Sequence, residues 1–246
     1  MEQGRAAMIP KPGAWVDLGL TLPIFLAYHL GVVFLRVRNG SDFVTGELLR
    51  VSENNQLLYL LFTSAIGVVF AGGFAWLGRG HAFRPAKFLQ IAVEGVIYAV
   101  IMRLVGALTV QKLFAGRSAI EAQGPLVGAI MSMGAGFYEE LAFRVILFGA
   151  GAKALVWMFA HERMRLVEGS VRLSIRAFAI VFGWSVVSAM IFSGVHYVGA
   201  LGDSFELTSF VFRFTLGMVL TLIFTARGFA AAVWAHTVYD VWVLVF

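Results

Sequence analysis

The sequence predicts an all-α protein, a polytopic bundle of about seven membrane-spanning helices, six to eight by run length. Hydrophobic residues make up 60% of the chain and charged residues only 13%, with a mean hydropathy of +0.85. An ordinary soluble domain does not have that balance. Apolar runs near or beyond the ~18 residues needed to cross a bilayer recur along the chain, separated by short charged stretches. No Pro/Ser-rich linker or low-complexity segment marks a second folding unit, so residues 1–246 read as a single integral-membrane domain.

The first span runs from about Ala14 to Leu35, after a polar start containing Arg5 and Lys11. Its length, with no A-x-A-type cleavage site following, argues against a removed signal peptide. The stretch RVRNGSDFVTGELLRVSENNQ reads as a hydrophilic loop leading to a second span, about Leu57 to Leu77. RGHAFRPAK opens a third, about Phe88 to Val110, and the Gly-Pro ending of QKLFAGRSAIEAQGP suits a helix start. Leu126 to Ala160 is longer than one crossing needs, which predicts a strong tilt or a break near its glycines and Lys153. After HERMRLVEGSVRLSIR come spans of about Ala177 to Val198, Phe210 to Ala226 and Phe229 to Phe246.

Basic residues lie scattered at span ends rather than in a patch, so the formal charge of +5 signals membrane topology and not nucleic-acid binding. The lipid bilayer is the expected partner. Counted over alternate loops, lysines and arginines number ten on the side of the N-terminus and five on the other. That bias places the N-terminus in the cytoplasm and, with seven spans, the C-terminus outside. The absence of cysteine excludes disulfides, thiolate catalysis and Cys-ligated zinc.

Ionisable residues at membrane depth are expensive and face a bundle interior or a watery cavity. They are Glu94, Arg103, Glu139, Glu140, Arg144, His196, Arg213, His236 and Asp240, and most fall into three clusters. In EELAFR, Glu140 and Arg144 share a helical face at four residues' spacing and can pair, whereas Glu139 points about 100° away. In FSGVH, Phe192 and His196 share a face; in HTVYD, His236 and Asp240 do so. A free carboxylate and two imidazoles in a low-dielectric bundle form an acid-base set suited to hydrolysing a peptide bond by activated water. Imidazole N–H groups can hold the oxyanion. Ser132, Ser193 and Thr237 are the nearest hydroxyls, and none lies in a G-x-S-x-G context.

The order E-E-x-x-x-R, F-x-x-x-H, H-x-x-x-N/D on three separate apolar segments resembles the CPBP family, the CAAX prenyl protease and bacteriocin-processing (Abi) intramembrane proteases. The likeness covers about residues 126–246, the motif-bearing protease core, and includes a Phe-x-x-x-x-Gly element at Phe212 and Gly217. It implies a cavity lined by the C-terminal helices and a glutamic endopeptidase with no metal or other cofactor. Glu139 and His196 would activate water, His236 and Asp240 would hold the oxyanion, and Glu140, Arg144 and Phe192 would support them. Where relatives carry Asn, this chain has Asp240, and an ionised carboxylate cannot donate to an oxyanion. Either Asp240 is protonated, or it fixes the tautomer of His236. The substrate implied is a membrane-associated protein or peptide, and the short loops point to a bacterial inner membrane.

Two other readings compete. Two histidines and a carboxylate are also a zinc ligand set, although no H-E-x-x-H is present. A transporter, scaffold or bacteriocin-immunity protein would use the buried charges to bind a ligand. A lone histidine is more often a satisfied core residue, and Glu140–Arg144 serves equally as a structural pair. Glu94 and Arg103 do not share a face and are expected to contact other helices or line the cavity. Arg213 is expected to snorkel, and His29, His81 and His161 to be interfacial or in loops.

Overall fold

The computed structural model describes residues 14–77, 85–109, 124–162, 164, 173–199 and 202–246, and every regular element among them is helical. In chain order they are α1 (Ala14–Leu20), α2 (Leu22–Leu35), α3 (Phe43–Val51), α4 (Gln56–Leu77) and α5 (Pro85–Thr109). They continue with α6 (Pro125–Ala160), α7 (Ile175–Val195), α8 (Leu207–Arg227) and α9 (Phe229–Val245). Five are long and apolar enough to cross a membrane, and α2 and α9 are shorter apolar helices. The chain is an integral membrane protein built as a helical bundle. Val110, His81 and most of the loops at 79–87, 111–125 and 161–176 lie outside the described residues.

The expected first span is two helices. Pro23, at the start of α2, has no N–H to donate back into α1, and Thr21 instead turns the chain, with its N and Oγ1 both donating to Leu18 O. The stretch read as a loop contains α3. Asp42 accepts from Val44 N (3.0 Å) and Thr45 N (2.8 Å), an N-cap that turns a charged segment into a surface helix. The long segment is one continuous helix of 36 residues. It does not break at its glycines or at Lys153. It changes winding: Ala135–Ala150 and Val156–Ala160 are π-helical, with wider turns than the α-helix on either side of the first stretch.

Helices alternate up and down. Gly136 of α6 faces Val233 and Thr237 of α9, and Gly128 faces Leu244, so those two run antiparallel. Glu94 meets Arg227 and Gly106 meets Phe212, setting α5 against α8 in the same way. The ends of α2, α5, α7 and α9 therefore gather with the starts of α4, α6 and α8 at one end of the bundle. α9 runs through its middle, packed most extensively on α6 and then on α5, and also on α8 and α1. Ala230, Ala231, Ala232 and Ala235 are fully buried there, small side chains that let neighbouring backbones close in.

Candidate active site

Each motif helix is fixed by a local device. Gly136 is where α6 touches α9: a Cβ there would collide with Thr237 Oγ1 and lie 3.0 Å from Val233 O. Only a residue without a side chain lets the π-helical stretch carrying Glu139 and Glu140 lie against His236. The entry to α9 is set by Gly228, whose φ of +104° favours glycine. There the carboxylate of Asp17, far away in sequence, accepts from the backbone N–H of Phe229 and of Ala230 (3.1 Å). Trp234 Nε1 adds a bond to Leu20 O (2.9 Å). On α7, the last residues leave carbonyls without helical partners. His196 Nδ1 donates to one of them, Phe192 O, at 2.8 Å.

These devices bring all the predicted site residues together. Glu140 is fully buried, and its Oε1 lies 3.0 Å from Arg144 Nη1 and 2.7 Å from His236 Nδ1. Arg144 also reaches Gly217 O (3.4 Å) and stacks over the Phe192 ring at 4.1 Å. Phe192 in turn sits edge-on to both imidazoles and against Gly217, so the Phe212 to Gly217 element carries the floor under the motif. Glu139 Oε2 stands 4.0 Å from His196 Nε2 and 3.9 Å from His236 Nε2. Asp240 Oδ2 is 3.4 Å from His236 Nε2. The proton on His236 Nδ1 is thus engaged by Glu140, while Asp240 faces the other ring nitrogen.

Ser132 Oγ donates to Gly128 O and Ser193 Oγ to Phe210 O, which commits both hydroxyls to backbone. Thr237 Oγ1 is buried with no partner among the described residues. Glu94 is bidentate to Arg227 (2.7 and 2.9 Å) and Arg103 stacks over Trp242 (4.8 Å), both away from the site. Arg213 pairs with Asp203 at 2.5 Å and stacks on Tyr197 rather than extending free to the interface. His161 is exposed at the end of α6.

His29 departs from the sequence reading. It is fully buried, with Nδ1 2.8 Å from Tyr59 Oη and Nε2 2.6 Å from Tyr138 Oη. Tyr28 Oη beside it donates to Asp42 (2.8 Å) and accepts from Asn39 N (2.9 Å). Asp17 and His29 both belong among the costly buried polar groups. The rule that found Glu139 finds them too, once applied to the first span.

Residues 121–242 match the family model described as Rce1-like, type II CAAX prenyl endopeptidase Rce1-like. This half of the chain belongs to the Rce1-like family. The matched segment holds all three motifs, and an Rce1-like domain is a peptidase domain, a hydrolase whose substrates are membrane-associated. Asp17, His29 and Tyr59 lie outside it, so the Rce1-like segment is capped and buttressed by the N-terminal helices. Comparison with curated proteins and with solved structures gave no match.

Proposed function

We propose that the protein is a glutamic intramembrane endopeptidase that hydrolyses a peptide bond in a membrane-associated protein or its C-terminal tail. One observation carries the reading: the gap between Glu139 and the two imidazoles, 4.0 and 3.9 Å. It is too wide for direct hydrogen bonds and suits one water held just off the line between the groups. Glu139 takes a proton from that water as its oxygen attacks the carbonyl carbon, then passes the proton to the leaving amine as the C–N bond breaks. One water is consumed, and a carboxyl and an amine are formed.

His196, with Nδ1–H committed to Phe192 O, presents the Nε2 lone pair to the water's other hydrogen. His236 keeps Nδ1–H on Glu140 and donates a proton on Nε2 to the oxyanion. With hydrogens on both nitrogens the ring is an imidazolium, and Asp240 acts on it as a counter-charge, since an ionised carboxylate has no hydrogen to give an oxyanion. Glu140 holds the ring, and Arg144 balances Glu140. The whole chain works as one domain with its protease core at about 126–246, in a bacterial inner membrane with the N-terminus cytoplasmic.

The test is Glu139→Gln in the membrane-embedded protein. Loss of general-base catalysis is expected to slow cleavage about 10²- to 10⁴-fold, with helical content and melting unchanged. His196→Ala should do the same. Membrane proteomes with and without the active chain are compared for a protein whose C-terminus changes. Cleavage at full rate by Glu139→Gln would refute the mechanism.

A further inference from the structure

On α7 and α9, the exposure of the site residues rises toward the same end of the bundle. On α7, Phe192 is 4% exposed and the His196 side chain 28%. On α9 the side chains of His236 and Asp240 are 7% and 22% exposed. On α6, Arg144 and Glu140 are sealed, while the Glu139 side chain keeps 11% of its surface. Both gradients point to the end where α7 and α9 finish and α6 and α8 begin.

That end is polar. His196 is followed by Tyr197, and the exposed pair Arg213–Asp203 lies over the Tyr197 ring, an ion pair that belongs in water rather than in acyl chains. Below Arg144, toward the opposite end, Phe148, Leu220, Ile223, Phe229 and Val233 are buried and apolar. Phe148 and Phe224 meet edge to face. The site is stoppered on that side.

The stoppered end is the basic one. The described starts of α1, α5 and α7 and ends of α4, α6 and α8 lie there; in the sequence the connecting segments 1–13, 79–87 and 161–176 with Arg227 carry ten lysines and arginines, against five in the segments 36–56 and 111–125, and the 196–206 connection carries none. Basic loops stay in the cytoplasm. We infer that the catalytic cluster opens to the non-cytoplasmic face of the membrane. Water and substrate enter beside His196, and the substrate is a membrane-proximal segment or tail of an exported or membrane-anchored polypeptide rather than a lipidated tail of a cytosolic protein. The choice of substrate rests on the protease reading above; the direction of opening does not.

The chain has no cysteine, so a single introduced thiol is the only target of a membrane-impermeant maleimide. In intact spheroplasts, Phe205→Cys (beyond the mouth) and His196→Cys (in it) are expected to label as fully as in detergent. His161→Cys, at the stoppered end, is expected to label only after permeabilisation. Labelling of His161→Cys with protection of Phe205→Cys would overturn the inference, as would a His196→Cys that reacts only in detergent. Should His196→Cys fail to assemble, Tyr197→Cys reads the same opening. In a second arm, one reporter peptide is displayed on either side of a single-span anchor. Cleavage is expected only on the non-cytoplasmic side and only with Glu139 intact; cytoplasmic cleavage overturns the substrate assignment. Expected labelling with no cleavage on either side leaves the opening standing and refutes the protease reading instead.

Discussion

Two buried polar clusters meet at one peptide bond. Tyr138 belongs to the first, with Tyr28, His29, Asp42 and Tyr59; Glu139 belongs to the second, with Glu140, Arg144, His196, His236 and Asp240. In the first, the hydrogen bonds among these groups run from 2.6 to 2.8 Å. In the second, Glu139 is held off its neighbours at 3.9 and 4.0 Å, and Glu140 Oε2 is buried with no hydrogen-bond partner among the described residues. A saturated network fixes a structure, because each group would cost free energy if its partner left. A network with a gap keeps space for a molecule from outside. The same chemistry, imidazole and oxygen acids in a low-dielectric bundle, serves as scaffold in one place and as a site in the other.

After the rate loss expected of Glu139→Gln, the largest effect should come from Arg144→Met. It removes the guanidinium from a fully buried carboxylate, which costs about 3–5 kcal/mol, read as a lower melting temperature together with lost cleavage. If the first cluster is scaffold only, Tyr138→Phe should cost about 1–3 kcal/mol by orphaning His29 Nε2. Its cleavage rate per folded molecule should hold; a rate loss larger than the fold loss would merge the two clusters into one machine. Asp17→Ala removes the acceptor at the start of α9 and should cost about 1 kcal/mol, with Asp17→Asn recovering most of it. The smallest effect should be that of a strong chelator, under which cleavage continues unchanged. A loss restored by added zinc would convert the second cluster into a metal centre.

The second cluster was legible because its partners share helices. Glu140 with Arg144, Phe192 with His196, and His236 with Asp240 are each four residues apart inside an apolar run, and costly groups at that spacing draw the eye. The first cluster is assembled from α2, α3, α4 and α6, and no spacing links His29 to Tyr59 or Tyr138. What was available was the cost of a histidine in the middle of a span, the same signal that singled out Glu139. Asp17 was harder to see, since its partners are backbone amides that the sequence does not distinguish from any others. The winding of α6 was hidden too, because i→i+5 bonding leaves no periodic mark. A bundle of long apolar helices was legible from hydropathy alone, whereas the proposed opening of the site needed the exposure of its members.

The carboxylate of Asp17 on the first amides of α9 has a consequence for how the chain can be divided. The first amides of the last helix, which carries His236, are capped by a side chain of α1. Cut between α3 and α4, the chain would yield two pieces, neither a protease alone, that recover activity when produced together in one membrane. The first and last described helices are in that sense a single mechanical part, and fragment complementation with and without Asp17 would weigh how tightly it is joined.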